Sequence, residues 1–92
     1  MSSLTGKVSA VLGAAGKGNM AQVIADTLHR EGASIVVAGR NKDELDRFAK
    51  EVNGLAVYCD TTSKEDIKKV FYAAVDKFDK VDIVVNATGW GS

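Results

Sequence analysis

Surplus charge, paired cysteines and long apolar runs are all lacking from this chain. Twelve basic residues balance twelve acidic ones, so no positive excess marks a nucleic-acid groove. Cys59 is the one cysteine, which excludes a disulfide framework and a paired-cysteine metal or redox motif. No apolar run approaches the roughly 20 residues of a bilayer span, so no membrane partner is expected. The opening residues, Met1-Ser2-Ser3-Leu4-Thr5-Gly6-Lys7, lack the apolar core of a signal peptide. A cytoplasmic location is the expectation.

What is present is the composition of a soluble globular protein, with 46% apolar and 26% charged residues among 92. One domain over residues 1–92 is expected, burying roughly two thirds of its extended-chain surface. Apolar runs at Val8–Leu12, Ile35–Ala38, Leu55–Cys59 and Ile83–Val85 are apolar at successive positions, as strands covered on both faces are. Helical periodicity fills the gaps. One face of a first helix carries Met20, Val23, Ile24, Thr27 and Leu28, and a second carries Leu45, Phe48, Ala49 and Val52. A third carries Ile67, Val70, Phe71, Ala74, Val75 and Phe78.

Asn19 with Gln22, Asn41 with Glu44 and Thr62 with Glu65 each have capping-box spacing. Gly32 and Gly54 stand where the first two helices need a left-handed cap. The order β-α-β-α-β-α-β with right-handed crossovers predicts a parallel α/β sheet. Strand order 3-2-1-4 would put a switch point between strands one and four, where ligands of such sheets bind.

The stretch Gly13-Ala14-Ala15-Gly16-Lys17-Gly18-Asn19-Met20-Ala21 joins the first strand to the first helix. Bare glycines let backbone approach a pyrophosphate, and the orphan N–H groups of the helix start point at it. From Gly16 the residues read Gly-x-Gly-x-x-Ala, a dinucleotide fingerprint in its proper context. A Walker loop is excluded, because Lys17 is followed by Gly18. A plain strand-to-helix turn is the competing reading.

Three further strand ends bear on the ligand. After the second strand, Arg40 and Asn41 replace the acidic residue that holds a ribose 2′-hydroxyl. Arg40 suits a 2′-phosphate and Lys17 adds charge, which favours NADP(H) over NAD(H); otherwise Arg40 is solvated and Asn41 a cap. Asp60, with Thr61 beside it, either accepts from the adenine amino group or serves a turn. Asn86, Ala87 and Gly89 end the fourth strand with small residues against which a ribose can lie. His29 has no second ligand or base beside it, so no metal site is expected. Cys59, Tyr58 and Tyr72 read as packing residues.

On these residues the chain resembles the N-terminal part of the short-chain dehydrogenase/reductase family. The likeness rests on Gly13 to Ala21, Val36-Val37-Ala38-Gly39-Arg40-Asn41, Asp60, and Asp82-Ile83-Val84-Val85-Asn86-Ala87-Thr88-Gly89. The last is similar to the family's Asn-Asn-Ala-Gly motif, with Ala87 and Thr88 replacing its second and third residues. Asn19 and Ala21, six and eight residues after Gly13, make the loop closer to the divergent, enoyl-reductase-like branch. The resemblance implies a three-layer Rossmann-like fold, truncated relative to the family's, and the NADP(H)-binding portion of an oxidoreductase.

The family's catalytic Tyr-x-x-x-Lys follows a fifth strand, and this sequence holds no such pair; Tyr72 and Lys77 are five apart. The expectation is a chain inactive by itself, with no catalytic residue assigned. A stand-alone nucleotide-binding or regulatory module is the alternative. A phosphorylated receiver domain is disfavoured, since glycines occupy the place of its acidic pair. An open fourth-strand edge, with Trp90 near it, predicts either a homo-oligomer or a fragment of a longer chain.

Overall fold

The computed structural model describes residues 4–13, 20–60 and 62–86. Its elements are β1 (Val8–Leu12), α1 (Met20–Arg30), β2 (Ser34–Gly39), α2 (Lys42–Glu51), β3 (Leu55–Tyr58), α3 (Lys64–Phe78) and β4 (Ile83–Asn86). The four strands form one sheet in the order β3-β2-β1-β4, every pairing parallel. Alternation and strand order follow the expectation. β2 is one residue longer at each end than its apolar run, and β3 stops at Tyr58. Cys59 lies just past β3, yet its N–H still donates to the Gly39 carbonyl at 2.8 Å.

The two faces of the sheet bury different partners. Val11, Ile35 and Val37 pack with Ala21 and Ala25 of α1 and with Leu45, Phe48 and Ala49 of α2. Ala10, Leu12, Val36 and Ala38 pack on the other face with Val70 and Ala74 of α3. β1 is buried at all five positions, which explains why its sequence does not alternate. Within it the Ser9 hydroxyl is fully buried and has no hydrogen-bond partner.

The first helix turns a different face inward from the one its large apolar residues suggest. Met20 and Val23 are about half exposed, and the buried positions are Ala21, Gln22 and Ala25. Two alanines against the sheet let the α1 backbone come close, so small volume outweighs hydrophobic bulk there. α3 keeps Val70 and Ala74 inward, with Ile67 and Phe78 packed beside them, but leaves Val75 about half exposed.

Helix ends depart from expectation twice. Asn41 caps α2 as predicted, its side chain accepting from the Glu44 N–H at 3.2 Å. The cap of α3 is Ser63, whose Oγ accepts from the Asp66 N–H at 3.3 Å; Thr62 is engaged elsewhere. Gly32 has φ +99° after α1, and the Ala33 N–H reaches back to the Leu28 carbonyl, as in a Schellman cap. After α2 the left-handed residue is Asn53, at φ +50°, not Gly54. Gly54 answers a different constraint: a Cβ there would stand 2.4 Å from the Ile35 carbonyl oxygen.

On β4, Val84 is paired with Ala10 and so faces the α3 side, where it remains about half exposed. Apolar surface therefore lies uncovered beside β4, as the open edge led one to expect.

Candidate nucleotide site

The register brings four chain segments to one end of the sheet. Leu12 stands opposite both Ala38 and Asn86, and Ala38 opposite Val57. The residues that follow these positions therefore share the carboxyl edge. Gly13 leaves β1 there, Arg40 and Asn41 follow β2, Asp60 follows β3, and Asn86 ends β4. β1 and β4 are neighbours although three helices separate them in the chain, which is the predicted switch point.

Gly13 has φ +86°, a left-handed conformation that side chains resist. Its N–H donates to the Ala38 carbonyl at 2.8 Å, so the turn toward the glycine stretch begins while still tied to β2. Met20 opens α1 and is exposed. Gly16, Lys17, Gly18, Asn19, Thr61, Ala87 and Gly89 lie outside the described residues.

Arg40 and Asn41 are both exposed. Asn41 spends its side-chain oxygen on the α2 cap, while Arg40 presents its guanidinium near the Asp60 carboxylate, whose proton affinity it helps to lower. Asp60 is built into a turn: its Oδ1 accepts from the Thr62 N–H at 2.9 Å and from the Thr62 hydroxyl at 2.6 Å. These bonds, the hydroxyl first, hold the Asp60 carboxyl below the usual carboxylate range. Its own N–H donates to Asp66 Oδ2 at 2.9 Å. The turn reading of Asp60 is thus met, and its carboxylate stays an acceptor at neutral pH.

Asp66 escaped the sequence reading, since a bond six residues back along a loop leaves no periodic trace. Burial, followed by the nearby charges of Asp66 and Asp60, pushes the Cys59 thiol up; it stays a neutral packing group and no nucleophile. Among the described residues no group of three or more His, Cys, Asp or Glu is placed to hold a metal ion. No helix among them is long and apolar enough to cross a membrane.

A second polar cluster, also missed in the sequence, links the two helices on one face. Gln22 of α1 is only 7% exposed and donates through Nε2 to Glu44 Oε2 of α2 at 2.9 Å. Arg47 grips the same carboxylate through Nε at 2.9 Å and reaches Gln22 Oε1 at 3.5 Å.

Comparison with known proteins agrees with this architecture. Residues 13–92 match the family model described as enoyl-(acyl carrier protein) reductase. An uncharacterized oxidoreductase of Staphylococcus aureus (strain N315) is 40% identical over 92 residues, covering 97% of this chain and 39% of that protein. A short chain dehydrogenase from Mycobacterium smegmatis superposes with a TM-score of 0.85 at 30% identity, over 94% of this chain and 38% of that one. The 3-ketoacyl-(acyl-carrier-protein) reductase from Brucella melitensis, solved with NADH, gives 0.82 at 34% identity over 89% and 34%. The chain thus spans about two fifths of the length of its relatives. Sheet order and family match lead to one assignment: this chain belongs to the short-chain dehydrogenase/reductase family.

Proposed function

We propose that this chain forms the nicotinamide-dinucleotide-binding part of a short-chain oxidoreductase, and that it takes NADP(H) in preference to NAD(H). The observation that carries the reading is the meeting of Gly13, Arg40, Asp60 and Asn86 on one sheet edge at the switch point. The residues fit the cofactor chemically. The turn at Gly13 and the start of α1 at Met20 bracket the glycine stretch, where backbone N–H groups would hold the pyrophosphate with Gly16, Lys17, Gly18 and Asn19.

Asp60 remains an acceptor suited to the adenine amino group while Thr62 fixes its other oxygen. Arg40, exposed on a strand end with no acidic residue in its place, suits the 2′-phosphate. Thr61, Asn86, Ala87 and Gly89 belong to the adenine and ribose sides of the same reading. The nicotinamide supplies hydride when bound; this chain's residues bind and orient the dinucleotide. NADH in the Brucella relative supports the cofactor class, and the 2′-phosphate preference rests on Arg40.

Oligomerisation or further pairing at the β4 edge belongs to the same reading, supported by the half-exposed Val84. Titration calorimetry with NADPH, NADH and AMP tests the cofactor. NADPH is expected to bind about 10–100-fold tighter than NADH, the worth of one charge-assisted bond. Absence of binding at millimolar concentration overturns the reading.

A further inference from the structure

The Gln22–Glu44–Arg47 cluster lies behind the candidate site and touches none of it directly. Its position is nonetheless specific. Gln22 stands in the first turn of α1, two residues after Met20, and Glu44 in the first turn of α2, three after the cap Asn41 and four after Arg40. One bond therefore joins the start of the helix that follows the glycine stretch to the start of the helix that follows Arg40. Both partners are sheltered: Gln22 is 7% exposed and the Glu44 side chain 14%. Arg47, itself ion-paired with Glu51, compensates the Glu44 charge and steadies the carboxylate.

We infer that Gln22 and Glu44 are positioning residues that fix the spacing between a 5′-phosphate subsite at the glycine stretch and a 2′-phosphate subsite at Arg40. This rests on the cofactor reading above. A ligand carrying two anionic groups gains from binding both only if the two subsites are held at the matching distance. The backbone route between them runs through all of α1 and β2, whereas the Gln22–Glu44 bond closes it within one helical turn of each subsite. A polar bond shielded from water and completed by a guanidinium holds such a spacing better than an exposed pair. Packing of Ala21 and Ala25 against the sheet sets the depth of α1; the bond sets its position relative to α2.

The test is a four-ligand cycle on the full polypeptide: adenosine, 2′-AMP, 5′-AMP and 2′,5′-ADP, titrated by NMR. The coupling is the factor by which a 5′-phosphate improves binding more when a 2′-phosphate is already present. In Gln22→Met, which keeps the volume and removes both bonds, the coupling is expected to fall about tenfold. Each monophosphate should keep its affinity within about twofold. Glu44→Gln retains an acceptor oxygen for Gln22 and is expected to keep most of the coupling.

If Gln22→Met does not fold, Arg47→Met serves instead, since it frees the Glu44 carboxylate from the surface; a threefold fall in coupling is expected. A folded variant with unchanged coupling, or with both monophosphates weakened equally and coupling intact, overturns the inference. If wild-type protein binds none of the four ligands nor NADPH, the cofactor reading itself has failed.

Discussion

Val8 and Asp82 hold each other through two opposed hydrogen bonds, one from each backbone N–H. Val8 N–H donates to Asp82 Oδ2 at 2.9 Å, and Asp82 N–H donates to the Val8 carbonyl at 2.8 Å. The pair sits where β1 and β4 begin, at the end of the sheet opposite the candidate site. Its side-chain bond replaces a ladder partner that Val8 would otherwise lack. The switch point needs β1 and β4 adjacent, and this pair fixes them at the far end.

Acid should loosen that junction. The Val8 N–H chiefly, with Lys80 and Lys7 adding charge, holds the Asp82 carboxyl below its ordinary range. A depressed folded-state pKa contributes stability that is fully present above the unfolded value near 3.9 and is lost as pH falls through the folded value. Asp60 acts with the same sign through Thr62. Melting temperature measured from pH 6 down to pH 3 is expected to drop, and to drop less steeply in Asp82→Asn than in wild type. Parallel curves for the two proteins would remove Asp82 from the account.

Ser9 gives a prediction in the stabilising direction. Its hydroxyl is fully buried in β1, paired on both sides by Ile35 and Ile83, and has no hydrogen-bond partner. An unsatisfied buried hydroxyl costs about 1–3 kcal/mol. Ser9→Ala removes it at nearly constant volume and should raise the denaturation midpoint by the equivalent of about 1 kcal/mol. A loss of stability would mean that the hydroxyl is satisfied in solution.

Two glycines separate steric from conformational demand. At Gly54 a Cβ meets the Ile35 carbonyl at 2.4 Å, and the obstacle is backbone of a central strand. Gly54→Ala should cost about 2–3 kcal/mol, near the upper end for overpacking. At Gly6 nothing lies within 4 Å, but φ is +86°. Gly6→Ala therefore carries only the left-handed penalty, about 1–2 kcal/mol. Urea midpoints of the two variants should rank in that order, with Gly54→Ala the less stable.

Strand order and the strand-end placement of Gly13, Arg40, Asp60 and Asn86 were legible in the sequence, because buried parallel strands are written as continuous apolar runs. The inward face of α1 was not. Periodicity weighs Met20 and Val23 heavily, whereas close helix-to-sheet approach selects Ala21 and Ala25. The cap of α3 slipped by one residue because Thr62 and Ser63 are chemically equivalent caps. What decides between them is the prior engagement of Thr62 with Asp60, a contact that local spacing does not rank. The Gln22–Glu44 bond joins residues 22 positions apart on two helices, and no single-element pattern carries it.

Arg40 provides the sharpest test of cofactor choice. It is exposed, so its replacement leaves the core untouched and should change melting by less than about 0.5 kcal/mol. Its role in the proposed site is confined to one group, the 2′-phosphate that distinguishes NADPH from NADH. Arg40→Ala should thus weaken NADPH by about 10–100-fold, the equivalent of one charge-assisted bond. NADH affinity should move by less than twofold. Raising the salt concentration should erode the wild-type preference and leave the variant nearly indifferent, since the lost contact is Coulombic. Equal weakening of both cofactors would instead assign Arg40 to the shape of the β2–α2 loop. In that case the preference for the 2′-phosphate would have to come from Lys17.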